Sequence, residues 1–382
     1  MALSTIDTSS IGGLGYGFKN RIINGGMVID QRNAGASATY GSGSTAGNYY
    51  GYNIDRWFAQ SYSSTVGNGA AFTVQQNAGS VTPPAGYKNY LGVTVTSAQA
   101  TLQTDSLYRI LQLVEGYNTI DFAFGSSAAS SITLSFWVRS SVTGTFSGTV
   151  NNNGNGGTVT RYLYTYTVNV ANTWEYKTIV IPAATTGSWG TVNSYGVTAE
   201  WCFGAASGRL GTPNVWGTGD QQGATGTTNL MATNGATFYI TGVQLEAGTV
   251  ATSFDWRPYG TELALCQRYA YMMTSVGSAG TYLRFCYGET LTTSQLQADI
   301  VFPVEMRSYP SLTTTGTAAS YGVYSKAALT ALSTVPTVGD SVNRNIATVV
   351  CTVATTPFTV GSCGTLIAAN NQTAYMLFTA EL

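Results

Sequence analysis

The chain contains no histidine in 382 residues. Histidine is the usual general base near neutral pH and a common metal ligand. Its absence excludes every His-based triad and every His-containing metal site. Charge is also scarce: Asp, Glu, Lys and Arg make up 9 %, against about 25 % in an average soluble protein. The net charge is −1. No positive field is built, so nucleic acid is not an expected partner. No apolar run is long enough for a membrane span, and none is expected to insert. The opening MALSTIDTSS lacks a basic region followed by an apolar core, so no secretory signal is expected. The glycine-rich stretches carry no Gly-Lys-Ser/Thr and open no helix, which excludes a phosphate loop. Five cysteines, Cys202, Cys266, Cys286, Cys351 and Cys363, are widely spaced and odd in number. They read as scattered core thiols better than as a disulfide framework. Cys351 and Cys363 flank a candidate hairpin and are the one pair suited to neighbouring strands.

What is present is β-forming and aromatic. There are 25 Tyr, 14 Phe, 7 Trp and 45 Gly. Such residues favour strands and contact surfaces over helices. Residues 132–139 (ITLSFWVR) alternate cleanly. Ile132, Leu134, Phe136 and Val138 face one way; Thr133, Ser135, Trp137 and Arg139 form a polar-aromatic outer face. Residues 174–181 (WEYKTIVI) put Trp174, Tyr176, Thr178 and Val180 on one side. Further strands are expected near 71–75, 90–95, 107–113, 120–124, 143–150, 162–170, 195–203 and 238–243. Residues 27–29 and 52–58 are also read as strands, and 34–51 as a flexible loop with a tyrosine tip. The prediction is an all-β protein. An antiparallel jelly-roll-like β-sandwich over 23–260 is followed by a second, smaller, distal β-sandwich domain over 261–382. A short helical run is expected after Thr261. Residues 1–22 read as an arm for attachment or inter-subunit contact, or as a frayed terminus.

The remaining catalytic option is a carboxylate pair. Asp30 and Asp55 are the best candidates, beside Arg32 and Arg56. A neighbouring Arg lowers a carboxyl pKa, the wrong direction for a general acid. A structural role, pinning strand ends with Trp57 as an aromatic cap, is the expectation. Glu200 and Asp220 are further carboxylates. Calcium at Asp220 or Asp30 is chemically reasonable, but no calcium-loop motif supports it. No metal, cofactor or enzymatic activity is expected. Sugar binding without chemistry needs aromatic platforms and amide or carboxylate partners for hydroxyls. Tyr49 and Tyr50, Trp189, and Trp216 with Asp220 and Gln221 supply both in expected loops. The bland alternative is that some of so many aromatics must fall in loops.

Several phrases occur together and in order. Residues 20–32 read NRIINGGMVIDQR and residues 52–57 read YNIDRW. ITLSFWVR follows, and residues 238–246 read FYITGVQLE. Then come Phe254, Arg257 and Pro258, CQRY at 266–269, VFPVEMR at 301–307, and Pro310. Together they resemble tailed-bacteriophage virion appendage proteins of the tail- or head-fibre or spike class, with a carbohydrate-binding-module-like sandwich. The likeness spans about 20–310. It implies a homotrimer made in a host cytoplasm and carried on the virion. It also implies contact with other tail or capsid proteins through the N-terminal arm, and adhesion to host surface polysaccharide or lipopolysaccharide. It casts Asp30, Arg32, Asp55, Arg56, Trp57 and Arg257 as structural, with Gln267 and Arg268 starting the distal domain. The chain lacks the shaft repeats of long fibres, which points to a short appendage. Two alternatives stay open: a non-adhesive capsid decoration or tail connector protein, and a glycan depolymerase using a carboxylate pair.

Overall fold

The structure, a computed structural model, describes residues 18–42, 47–64, 69–103, 105–278, 280–314, 316–326 and 328–382. Most of the expected arm, residues 1–17, lies outside them. Two compact units form. The first holds the described residues up to Val28, with Gly35–Asn53 and Trp57–Arg257; the second holds Ile29–Ala34, Ile54–Arg56 and Pro258–Leu382.

The first unit is an antiparallel jelly-roll-like sandwich. One sheet runs, in spatial order, Ala38–Tyr40, Ala71–Gln76, Leu91–Ser97, Thr237–Ala247, Ile132–Ser140 and Glu175–Ile181. The other runs Trp216–Thr218, Thr160–Val168, Gly144–Asn151, Tyr195–Ala205, Leu107–Glu115, Phe58–Ser63 and Gly47–Tyr52. Alternation decides which side chains enter the space between the sheets. Ile132, Leu134, Phe136 and Val138 are fully buried there. Phe136 meets Trp201 of the opposite sheet edge-on at 5.6 Å. Phe203 touches Phe72 and Phe238 at 5.8 and 5.0 Å. Each such ring buries enough apolar area to contribute about 2–3 kcal/mol.

The other side of the Ile132–Ser140 strand is buried in part as well. Thr133 and Ser135 are closed off from solvent. The segment that follows the Thr237–Ala247 strand explains this. The Thr133 hydroxyl donates to the Gly248 carbonyl at 2.8 Å. Residues 248–257 form a strap after that strand. Residues 18–22, read from sequence as part of an arm, are instead tied to the same strand: Arg21 N–H donates to the Leu245 carbonyl at 2.8 Å, and Asn20 Nδ2 to the Val243 carbonyl at 3.0 Å.

Several local readings change. No strand forms over 27–29, because Asn24 and Met27 hold φ of +58° and +57°, outside the extended region. Arg56, at φ +69°, breaks the expected 52–58 strand into a turn between Gly47–Tyr52 and Phe58–Ser63. The 34–51 stretch holds two strands, not one loop. Residues Ile120–Phe122 are a 3-10 turn, ended by Ala123 at φ +51°.

The second unit is smaller and also β. A three-stranded sheet pairs Ala270–Thr274, Tyr375–Thr379 and Ser311–Thr314. A seven-stranded sheet runs Ala328–Ala331, Tyr321–Ser325, Cys363–Ala368, Arg284–Thr292, Gln295–Val301, Ile346–Thr352 and Thr337–Val342. Its core includes Leu296, Val323, Val349, Leu366, Met376 and Phe378. The helical run is Tyr259–Gln267. Among the described residues no helix is long and apolar enough to cross a membrane. Cys351 and Cys363 are free thiols, the first buried and the second exposed.

Candidate functional site

The clearest aromatic concavity of the sandwich lies on the outer face of the six-stranded sheet. Tyr176 and Trp137 are register partners on adjacent strands, so both project outward side by side. Their ring centroids are 5.4 Å apart and their planes are inclined at 53°. Across the groove, Tyr87, Phe254 and Trp256 form a triangle with centroid distances of 4.8 to 5.4 Å. Thr252 and Ser253 add hydroxyls at the rim, and the volume is about 360 Å³. Tyr176 remains 43 % exposed, so its ring face is available to a ligand.

Backbone geometry seats Tyr87. The Thr237–Ala247 strand breaks register between Thr241 and Gln244, and Gly242 there takes φ +61°. An added Cβ at Gly242 would meet the Tyr87 ring at 2.6 Å. Only glycine permits both the bulge and that close approach. Burial pushes the Tyr87 hydroxyl up to about 12, and the nearby Tyr176 hydroxyl adds to the rise. It is therefore a neutral donor and acceptor.

The strap is held from beneath by Glu246. Its carboxylate accepts from Thr252 N–H at 2.9 Å, Thr252 Oγ1 at 2.6 Å and Gln244 Nε2 at 2.8 Å. Lys19 Nζ donates to Thr252 Oγ1 and to the Ser253 carbonyl, each at 2.6 Å. Gln244 Oε1 accepts from Asp255 N–H at 2.8 Å. These bonds fix the two residues that supply the groove's rim hydroxyls.

The candidates singled out from sequence fall elsewhere. Tyr49 and Tyr50 sit on the edge strand Gly47–Tyr52, not a loop. Tyr50 is 61 % exposed and stacks on Phe58 at 5.8 Å. Trp189 and Trp216 are brought together, 5.8 Å apart and nearly perpendicular. Phe124 joins them at 4.8 and 6.0 Å. Their indole N–H groups donate to the Thr186 and Pro182 carbonyls. Asp220 pairs with Arg209 at 2.7 Å, and Gln221 accepts from Arg161. Glu200 is held by Arg109 at 2.6 Å and Asn151 at 2.7 Å.

The residues read as structural divide between the units. Trp57 Nε1 donates to the Asn24 carbonyl at 3.1 Å, and the ring packs on Trp201 at 5.5 Å. Arg257 bonds the Asn20 and Ile22 carbonyls and lies 3.7 Å from Asp255. In the second unit, Arg32 and Arg56 both pair with Glu381. The Arg56 guanidinium lies 3.5 Å from the Tyr269 ring centroid. Asp30 caps Asn33 N–H at 3.1 Å. Asp55 accepts from Gln31 N–H at 2.6 Å and Gln31 Nε2 at 2.9 Å. Its carboxyl is raised to about 6, because burial outweighs Arg32 and the Gln31 bonds. This reverses the lowering expected from an adjacent arginine. Gln267 ends the helix, and Arg268 takes up Arg307 N–H on its carbonyl at 2.8 Å. Among the described residues no three of Cys, Asp and Glu gather to hold a metal ion.

No protein-family model matches the chain, and no curated protein matches it. Among solved structures it is distantly similar to the tailspike protein 4 enzymatically active domain of bacteriophage CBA120. That match has 10 % identity and a TM-score of 0.30, covering 60 % of this chain and 22 % of the tailspike chain. It is likewise similar to a family 11 carbohydrate-binding module of Clostridium thermocellum in complex with a β-1,3-1,4-mixed-linked tetrasaccharide. There the identity is 15 % and the TM-score 0.28, covering 55 % and 100 %. A third match is the CBM22-1–GH10 modules of the Clostridium thermocellum xylanase 10B complexed with xylohexaose, at 13 % identity and TM-score 0.28, covering 55 % and 30 %. Likeness at this level is a likeness of strand arrangement and carries no function across.

Proposed function

We propose that this chain is an adhesive virion appendage protein that binds host-surface glycan in the Trp137–Tyr176 groove and does not cleave it. One observation carries the binding: two aromatic faces in strand register flank a groove rimmed by hydroxyls. Sugar rings present C–H faces to aromatic planes and hydroxyls to groups such as Thr252 and Ser253. The groove lining contains no carboxylate, which supports binding over hydrolysis. The appendage assignment rests on the ordered phrases from residue 20 to 310. A closed homotrimer suits a low-charge β protein whose sheet edges need covering.

The test has two parts. Full-length protein is screened against neutral oligosaccharides, and the best ligand is titrated by calorimetry. The Trp137→Ala/Tyr176→Ala variant is expected to bind at least about tenfold more weakly. No binding by the parent, or equal binding by the variant, removes the groove reading in favour of a non-adhesive decoration or connector protein. Release of new reducing ends would restore the depolymerase alternative. Light scattering checks the assembly: the chain is 40.1 kDa, so about 120 kDa indicates a trimer by three times that mass.

A further inference from the structure

The second unit carries a groove of different chemistry. Strands Arg284–Thr292, Gln295–Val301, Ile346–Thr352 and Thr337–Val342 lie side by side. Alternation sends Leu296, Ala298 and Ile300 into the core and leaves Gln297 and Asp299 on the opposite face. Glu289 is the register partner of Gln297, and Asp299 that of Thr348. With Tyr287 and Ser341 they line a groove of about 460 Å³. Gly288 lies between Tyr287 and Glu289 and also lines the groove. Tyr287 is 68 % exposed. Thr348 Oγ1 donates to Asp299 Oδ1 at 2.5 Å, which orients that carboxylate. No lysine or arginine lines the groove.

We infer that this groove binds a pyranose bearing a free amine. Glu289 and Asp299 stand on one face, diagonally across neighbouring strands. An ammonium group in the groove would meet carboxylate charge from both strands. An exposed tyrosine face beside them suits a sugar ring, and the Gln297 amide and Ser341 hydroxyl suit its hydroxyls. An anionic sugar would face two like charges. A bare calcium ion would need six or more oxygens, and no third acidic group is gathered there among the described residues. The groove on the sandwich carries no charged lining, so the two sites differ in ligand class, and this inference does not depend on the first.

The experiment uses full-length protein and two probes of equal length, a β-1,4-linked glucosamine oligomer and its fully N-acetylated counterpart, titrated by calorimetry below neutral pH. The amine-bearing oligomer is expected to bind about tenfold or more tightly, from charge-assisted hydrogen bonds. The preference is expected to shrink as salt is added. E289Q/D299N keeps the groove's shape and should abolish the preference, while Tyr287→Ala should weaken the amine-bearing oligomer. Equal affinity for the two oligomers, binding of neither, or a preference that survives E289Q/D299N would each overturn the inference.

Discussion

Trp137 and Tyr176 stand opposite each other on antiparallel neighbours, 5.4 Å between ring centroids. Cross-strand aromatic pairs of this kind contribute roughly 0.2–1 kcal/mol to a sheet. Tyr176 is partly exposed at the last strand of its sheet, so its loss is felt by a ligand more than by the fold. Tyr176→Ala alone should change unfolding free energy by less than about 1 kcal/mol. It should weaken glycan binding about tenfold. Paired denaturant melts and titrations check both halves; a large stability loss would make the ring structural.

Gly242 is the position where the fold and the groove depend on the same atom. Gly242→Ala places a Cβ against Tyr87 and forces an L side chain into φ +61°. A cost of about 1–3 kcal/mol is expected from the strained backbone and overpacking together. Chemical denaturation measures it, and a neutral result would show that neither the left-handed backbone nor the Tyr87 contact constrains this position.

Glu246→Gln removes one acceptor oxygen and turns an N–H₂ toward groups that themselves donate. The strap should loosen by about 1–3 kcal/mol. Amide hydrogen exchange is the direct readout. Thr252, whose N–H bonds Glu246, should exchange faster, while Leu245, bonded to Asn20, should not. Unchanged protection at Thr252 would mean that the strap is held by its other bonds, those of Lys19, Gln244 and Thr133.

The pH dependence of the second unit follows from Asp55. Burial raises its carboxyl from 3.8 to about 6, so the fold favours the protonated form. The resulting stability is complete below 3.8 and is lost as pH rises through about 6. The unit should therefore gain on the order of 2–3 kcal/mol between neutral pH and about pH 4 from this group. Asp55→Asn should flatten that part of the profile. Urea midpoints across the range decide it, and a wild-type unit that weakens steadily over the same window would contradict the assignment.

Much of the architecture was legible in the residues. The alternation of 132–139 named the four core side chains that are all fully buried. The same alternation put Trp137 outside, and the pattern of 174–181 did the same for Tyr176. Neither pattern says which strands are neighbours, so the groove was missed although both of its walls were visible. Trp189 and Trp216 were noticed separately as loop platforms, and only packing revealed that they face each other. The turns at Met27 and Arg56 were misread because a single left-handed residue leaves no mark on hydrophobic periodicity.

By itself, then, the sequence determined the β character, the faces of the best strands, and the absence of histidine chemistry. These are local properties, set by side-chain volume, branching and period-two alternation along one segment. Tertiary structure alone decided that Tyr176 lies beside Trp137, that Glu381 pairs with both Arg32 and Arg56, and that burial outweighs a neighbouring arginine at Asp55. Those outcomes depend on register and desolvation. Both arise when segments far apart in the chain close on one another, and no window of sequence contains them.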